Sequence, residues 1–244
     1  MTKTRVCVTG ATGRTGRIAV RKLLERPCEY EAVAVVRTEA GRKDLLNYLR
    51  AHPHLSAVPA VIDTLKVVVC ATHRFEDSNY LAEKCFFGCQ KLVIATGSKP
   101  KVVYSSLPGV IFNKVVMGKK NVRPKFYFEG NETPLQVDWR GQKIQIDAAK
   151  ISGVKHIVLV SSMGGTQPDH FLNQMSGGEN LLLWKRKSEK YLIDSGVEAY
   201  TILHPGGLLP HPGMRKDNSD GGLREIVVGV DDTLLDSDFK VIPR

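Results

Sequence analysis

Val6-Cys7-Val8-Thr9-Gly10-Ala11-Thr12-Gly13-Arg14-Thr15-Gly16-Arg17-Ile18-Ala19 constrains this chain more than any other stretch. An apolar run stops at three glycines, Gly10, Gly13 and Gly16, and a helical pattern of Ile18, Val20, Leu23 and Leu24 starts at once. That order predicts a strand, a tight turn and a helix. Gly10 allows the sharp turn, Gly13 lets an anion reach the backbone without a Cβ in its way, and Gly16 lets the helix sit close to the strand. The helix start then offers unpaired N–H groups and a positive dipole end to a pyrophosphate. The turn predicts a dinucleotide site, with Gly10, Thr12, Gly13, Arg14, Thr15 and Gly16 as its contacts.

One strand-helix unit further on, Glu31 to Val36 reads as a second buried strand and ends at Arg37-Thr38. A dinucleotide fold that selects NAD places a carboxylate there for the ribose 2′-hydroxyl, whereas an arginine accommodates the 2′-phosphate of NADP. Arg37 occupies that place. Its guanidinium fork matches phosphate oxygens, and Arg14 is a second candidate partner. The expected cofactor is therefore NADP.

The rest of the chain alternates strands with helices, which implies a parallel sheet with right-handed crossovers. Ala40 to His52 has helical spacing, Leu55 to Lys66 reads as a loop, and Val67 to Cys70 is strand three. A helix over about 77–87 leads to strand four, Lys91 to Ala95, which closes at Thr96-Gly97 beside the expected cofactor. Ser98 to Pro134 reads as a long irregular loop with prolines at 100, 108, 124 and 134. Loops of that length are commonly functional. A helix over Asp138 to Ser152, strand five at His156 to Val160, a helix over Asn180 to Ser195 and strand six at Ala199 to Leu203 follow. Glu225 to Val228 and Lys240 to Ile242 read as a strand pair, so 205–244 is expected to form a substrate-side flap on a single domain spanning 1–244.

Cysteines at 7, 28, 70, 85 and 89 form no Cys-x-x-Cys pair, so neither a zinc site nor a disulfide framework is predicted. No apolar run reaches the length of a membrane span, and the start at Met1 leaves no room for a targeting segment, so the expectation is a cytoplasmic chain. Lys plus Arg number 35 against 25 for Asp plus Glu. These charges are spread along the chain and lack the interleaved aromatic platform of a nucleic-acid binder, so a solvated surface and an anionic cofactor account for the excess; a small-molecule substrate is the expected partner, and neither nucleic acid nor a membrane is.

The glycine turn resembles that of the atypical short-chain dehydrogenase/reductases, and so do Val137-Asp138-Trp139-Arg140-Gly141-Gln142, Ile146-Asp147-Ala148-Ala149-Lys150, Gly153 to Val158, Ser161-Ser162-Met163-Gly164-Gly165 and Trp184-Lys185-Arg186-Lys187. The closest likeness is to the small NmrA-like, sugar-dehydratase-like NAD(P)-binding proteins of plants. The resemblance implies an α/β Rossmann fold, a doubly wound parallel sheet, with the substrate over the ends of strands four to six. It implies catalysis by a Ser or Thr after strand five, a Tyr, and a Lys four residues after that Tyr. Ser161 or Ser162 matches the serine and Lys185 the lysine, which also holds the nicotinamide ribose; Pro205 is an expected cofactor contact.

The Tyr position is Leu181, which cannot give a proton. Tyr191 lies on another face of its helix and reads as packing, while His204 is a candidate substitute acid. Cys70-Ala71 stands where relatives carry Gly-Asp, and Ile144 where they carry Asn. The sequence stops at residue 244, where relatives continue with a helix and a further strand; either it is a truncated stretch or the fold lacks that last layer, and an exposed apolar strip is expected in both cases. Two functions compete: an NADP-dependent oxidoreductase of a small carbonyl or quinone-like substrate, and a non-catalytic redox sensor with a protein partner. Oligomeric state is left open.

Overall fold

A computed structural model describes residues 2–71, 76–119, 122–174, 178–209, 229 and 241–243. Its strands are β1 (Thr4–Thr9), β2 (Tyr30–Val36), β3 (Lys66–Val69), β4 (Lys91–Ile94), β5 (Lys101–Val102), β6 (Phe126–Tyr127), β7 (His156–Val160), β8 (Ala199–Leu203), β9 (Gly207–Leu209) and β10 (Val241–Pro243). Six of them form one parallel sheet in the order β3-β2-β1-β4-β7-β8. β1 lies at the point where the order reverses, with Val6 paired to Ala32 on one side and to Lys91 on the other. Ligands of open α/β sheets bind at the carboxyl ends of the strands beside such a reversal.

The principal helices are α1 (Arg14–Leu24), α2 (Glu39–Arg50), the short turns α3 (Pro53–Ser56), α4 (Ala60–Asp63) and α5 (Ser78–Tyr80), then α6 (Leu107–Val115), α7 (Gln142–Ile151), α8 (Phe171–Gln174) and α9 (Leu181–Ile193). Successive side chains of a strand point to opposite faces, and the core divides accordingly. Cys7, Val33, Val35, Leu92, Ile94, Ile157 and Leu159 join Ile146, Ala149 and Leu192 on one face. Val8, Ala32, Ala34 and Val36 join Val20, Leu24, Leu45 and Leu49 on the other. The sheet is thus wound on both faces, as the alternating pattern predicts.

Local chemistry sets the helix ends. The Thr38 hydroxyl accepts from the Gly41 amide at 3.0 Å and caps α2, and the Asp77 carboxylate accepts from the amides of Asn79 and Tyr80 and caps α5. The predicted helix over about 77–87 is α5 running into a π-helical turn, Leu81–Cys85, and the predicted 138–152 helix is α7 preceded by a π-helical turn, Leu135–Gly141. Four cysteines are buried among apolar side chains and Cys28 is exposed, in keeping with a structural use of the thiols. Burial pushes the Cys7 thiol well up.

Two loop expectations need correction. The stretch from Leu55 to Lys66 is not a plain loop: α3 and α4 bury Leu55, Ile62 and Leu65 against α2 and β3. Ser98 to Pro134 is not irregular throughout, because β5 and β6 pair antiparallel, Lys101 opposite Tyr127, and close off an excursion that contains α6. Periodicity missed α6 because none of its residues is buried; with no face turned to a core, apolar positions carry no 3.6 period. Of the predicted strand pair near the end, Val241–Pro243 forms a strand, but parallel to Gly207–Leu209; Glu225 to Val228 lie outside the described residues. On β8, the last strand of the sheet among the described residues, Tyr200 and Leu203 are 45% and 47% exposed.

Candidate functional site

The turn after β1 is built as its glycines require. Gly10 has φ +66°, and a Cβ there would lie 2.6 Å from the carbonyl oxygen of Ala95 at the end of β4. The Gly13 amide donates to the Gly10 carbonyl at 2.8 Å, closing the turn. A Cβ on Gly16 would stand 2.2 Å from that same carbonyl oxygen, so only glycine lets α1 begin this close to the strand. α1 starts without a side-chain cap and without an acidic residue in its first turn. Its first amides therefore have neither a helical acceptor nor a competing carboxylate, and the turn fits a pyrophosphate. Thr12 and Arg14 are exposed at its rim, and Thr15 is half-buried.

Arg37 follows β2 in the exposed position the sequence predicts. It forms an ion pair with Glu132, a partner that sequence spacing does not reveal. Of the stretch after β3, Cys70 and Ala71 are described and residues 72–75 are outside the described residues.

At the end of β4 a buried network forms around Asp138. Its Oδ1 accepts from Lys185 Nζ at 2.6 Å, and its Oδ2 accepts from the amide of Ser98 at 3.1 Å and from the Ser98 hydroxyl. Asp138 is fully buried, and the Lys185 side chain is 12% exposed. The Ser188 hydroxyl donates to the Asp138 carbonyl, tying the π-helical turn to α9. Gly97 belongs to the same contact: a Cβ there would lie 3.4 Å from both Asp138 Oδ1 and Lys185 Nζ. Buried Gln142 and Gln145 fix Thr96, donating to its carbonyl at 3.0 Å and to its hydroxyl at 3.2 Å. Thr96-Gly97 and Lys185, far apart in sequence, therefore come together at the end of β4.

α9 places Leu181, Lys185 and Glu189 on one face, since residues four apart share a side of a helix. Its start is fixed from outside. The Asn173 side-chain oxygen accepts from the amides of Leu182, at 2.8 Å, and Leu183, while its Nδ2 donates to the carbonyls of Gln167 and Pro168. Lys185 lies one turn into α9 and Glu189 a turn deeper.

Glu189 forms a second network at the ends of β7 and β8. Its carboxylate, 1% exposed, accepts from the Ser161 hydroxyl, from Arg186 Nη1 at 2.9 Å and from His204 Nε2 at 3.0 Å. Burial works to raise its pKa, but the hydrogen bonds from His204, Ser161 and Arg186 outweigh this and hold it below the ordinary glutamate value. Ser161 thus spends its proton on Glu189, whereas the Ser162 hydroxyl donates to the Met163 carbonyl at 3.2 Å. The Pro205 carbonyl accepts from the Met163 amide and joins the two strand ends. Leu181, 8% exposed, occupies the expected Tyr place. Tyr191 donates to Asp147 at 2.6 Å and packs edge-on to Trp139, so it is a packing residue as predicted.

Asp138, Glu189 and Asn173 are the residues that sequence reasoning passed over. Asp138 and Glu189 had one available signal: each is a charge inside an apolar helical pattern. Among the described residues no cluster of His, Cys, Asp or Glu has the makings of a metal site.

A parallel sheet reversing at β1, a glycine cradle on an uncapped helix and a lysine fixed at the end of β4 define a dinucleotide-binding protein. The chain belongs to the NAD(P)H-binding family, whose model matches residues 10–225. Sanguinarine reductase of Eschscholzia californica is 39% identical over 99% of this chain and 80% of its own. A chloroplastic protein of Arabidopsis thaliana is also 39% identical, over 98% of this chain and 61% of its own. Among solved structures, Pen from Bacillus thuringiensis shares the fold with a TM-score of 0.55 at 13% identity, over 85% of this chain and 51% of that one. WbmH of Bordetella bronchiseptica, solved with NAD⁺, has a TM-score of 0.50 at 18% identity, over 85% of this chain and 57% of that one.

Proposed function

We propose that this chain is an NADPH-dependent oxidoreductase that reduces a small carbonyl or quinone-like substrate. The observation that carries the reading is Lys185, held beside Gly97 at the end of β4 by the buried Asp138. An ammonium has three N–H donors. With one directed at Asp138, two are left for the ribose hydroxyls of a nicotinamide nucleotide. The glycine cradle and the amides of Arg14, Thr15 and Gly16 would hold the pyrophosphate, and Arg37 with Arg14 the 2′-phosphate, with Arg37 exchanging Glu132 for that phosphate. When bound, the nucleotide supplies hydride; the protein orients it, keeps water from the buried Lys185–Asp138 side and presents the hydroxyls at the end of β7. The kinship with a protein named for sanguinarine reduction supports a reductive role. A cytoplasmic setting belongs to the same proposal; localisation of a fluorescent fusion tests it against the chloroplastic setting of the Arabidopsis relative.

Calorimetric titration with NADPH and with NADH tests the cofactor, and NADPH oxidation over a panel of carbonyls, quinones and sanguinarine tests the reaction. Tight NADPH binding, weak NADH binding and turnover of at least one panel member are expected. An Arg37→Glu variant is expected to bind NADPH at least about tenfold more weakly while NADH binding is unchanged, since it removes a phosphate partner and adds a repelling charge. Equal affinity for both nucleotides overturns the choice of NADP.

A second reading is favoured by Leu181, an apolar residue at the proton donor's usual place. It is a redox sensor that binds NADPH without turnover and recruits a protein partner. NADPH binding without oxidation on any panel member, together with a partner pulled down by one redox form of the nucleotide and not by the other, selects it.

A further inference from the structure

An apolar helix on a protein surface needs a reason. Leu107, Val110, Ile111, Phe112 and Val115 leave α6 apolar almost all round, a composition that ordinarily marks a buried helix, yet none of its residues is buried. Ile111, Phe112 and Val115 are exposed, and so are Val116 and Met117, which follow the helix. The charges beside them are of one sign. Between residues 98 and 128 the sequence has six lysines, one arginine and no aspartate or glutamate. The fold gathers part of that charge around the helix. Lys114 is on α6 itself, the Lys119 amide donates to the Asn113 carbonyl at 3.0 Å, and the Lys125 amide donates to the Ser106 hydroxyl at 3.0 Å where α6 begins. Lys114, Lys119 and Lys125 are all exposed.

We propose that α6 docks on an anionic lipid surface, its apolar side chains entering the headgroup boundary and its lysines meeting the lipid phosphates. The proposal goes beyond the reductase reading and does not depend on it. Two signals act together in such binding: apolar side chains leave water, and cations are drawn to the negative surface. Sequence reading expects no membrane because no apolar run is long enough to span one, but a helix that lies at the surface needs no such run. Charge argues against the other occupants. A second copy would bring the same acid-free segment, and each chain carries a formal net charge of +10. A protein groove is also less suited, because protein interfaces are enriched in arginine and depleted of lysine. Here the basic residues are lysines with Arg123 the exception, and Arg123 is stacked on the Phe171 ring at 3.6 Å.

The test is flotation of the full chain with vesicles of phosphatidylcholine alone and of phosphatidylcholine with about one-third phosphatidylserine, at low and at high salt. Binding to the anionic vesicles, none to the neutral ones and loss of binding at high salt are expected. Phe112→Asp and the pair Lys114→Gln/Lys119→Gln are each expected to weaken binding about tenfold or more, the first through the apolar contact and the second through charge. Val115→Asp repeats the first change at a second position in case Phe112→Asp does not fold, which thermal melting decides. Lys150→Gln/Lys190→Gln removes the same charge from exposed positions on α7 and α9 and is expected to leave binding unchanged. No binding to the anionic vesicles overturns the proposal and leaves α6 to a protein partner. Equal weakening by the two lysine pairs overturns it as well, since attraction would then be by net charge alone. Full binding by folded Phe112→Asp or Val115→Asp does the same, because α6 would not enter the lipid. A concentration-dependent dimer in sedimentation that Phe112→Asp dissolves also overturns it and gives the face to a second copy.

Discussion

A charge without water must find its opposite, and Asp138 and Lys185 do so at the end of β4. Removing one partner leaves the other buried and unpaired, so Asp138→Ala is expected to cost about 3–5 kcal/mol in urea unfolding. The double variant Asp138→Ala/Lys185→Ala is expected to lose less than the sum of the two single losses, and strict additivity would show that the pair is uncoupled. Glu189 adds a pH dependence of known sign. Its folded-state pKa lies below the ordinary 4.5, so its contribution is complete above that pH and is lost as pH falls through the folded value. The wild-type Tm is expected to drop below about pH 4.5 more steeply than that of Glu189→Gln; parallel curves would contradict the assignment. These pairs explain what was legible in the sequence at this scale. Gly10 and Gly16 are readable because the backbone itself demands them. Asp138 and Glu189 are readable only as misplaced charges, because Lys185 and His204 reach them through space.

Secondary structure carries the site by holding residues at fixed spacing, and α9 does most of this through Leu181, Lys185 and Glu189. Asn173 caps that helix from α8, so Asn173→Ala is expected to cost about 0.5–2 kcal/mol by thermal or urea unfolding. A variant as stable as the wild type would mean that the amides of Leu182 and Leu183 find other acceptors. The six strands of the parallel sheet and α1, α2, α7 and α9 were foreseeable from their apolar runs and periodic faces, whereas β5, β6 and β9, two or three residues each, were not. α3, α4 and α6 were not, since a four-residue turn has no period and α6 buries nothing. On α6, Ile111, Phe112 and Val115 are 61%, 55% and 77% exposed. Phe112→Asp is therefore expected to change stability by no more than about 0.5 kcal/mol, whereas a core change of that kind costs several; a large loss would show that the ring is packed.

At the scale of the whole molecule, one sheet with helices on both faces brings residues 10–16, 37, 96–97, 138, 161, 185 and 204 to a single edge. The order of the strands has a further consequence, for the way the chain is made. β1 is flanked by β2 and β4, and its last residue, Thr9, precedes Lys91 by 82 positions. On the ribosome, at about 5–20 residues per second, β1 therefore waits roughly 4–16 s before β4 emerges. Throughout that interval one edge of β1, lined by Val6, Cys7 and Val8, has no partner strand. A nascent chain arrested before residue 91 is thus the species in which a chaperone would find an apolar, unpaired strand edge, and lengthening it past Ile94 is the step that closes the edge.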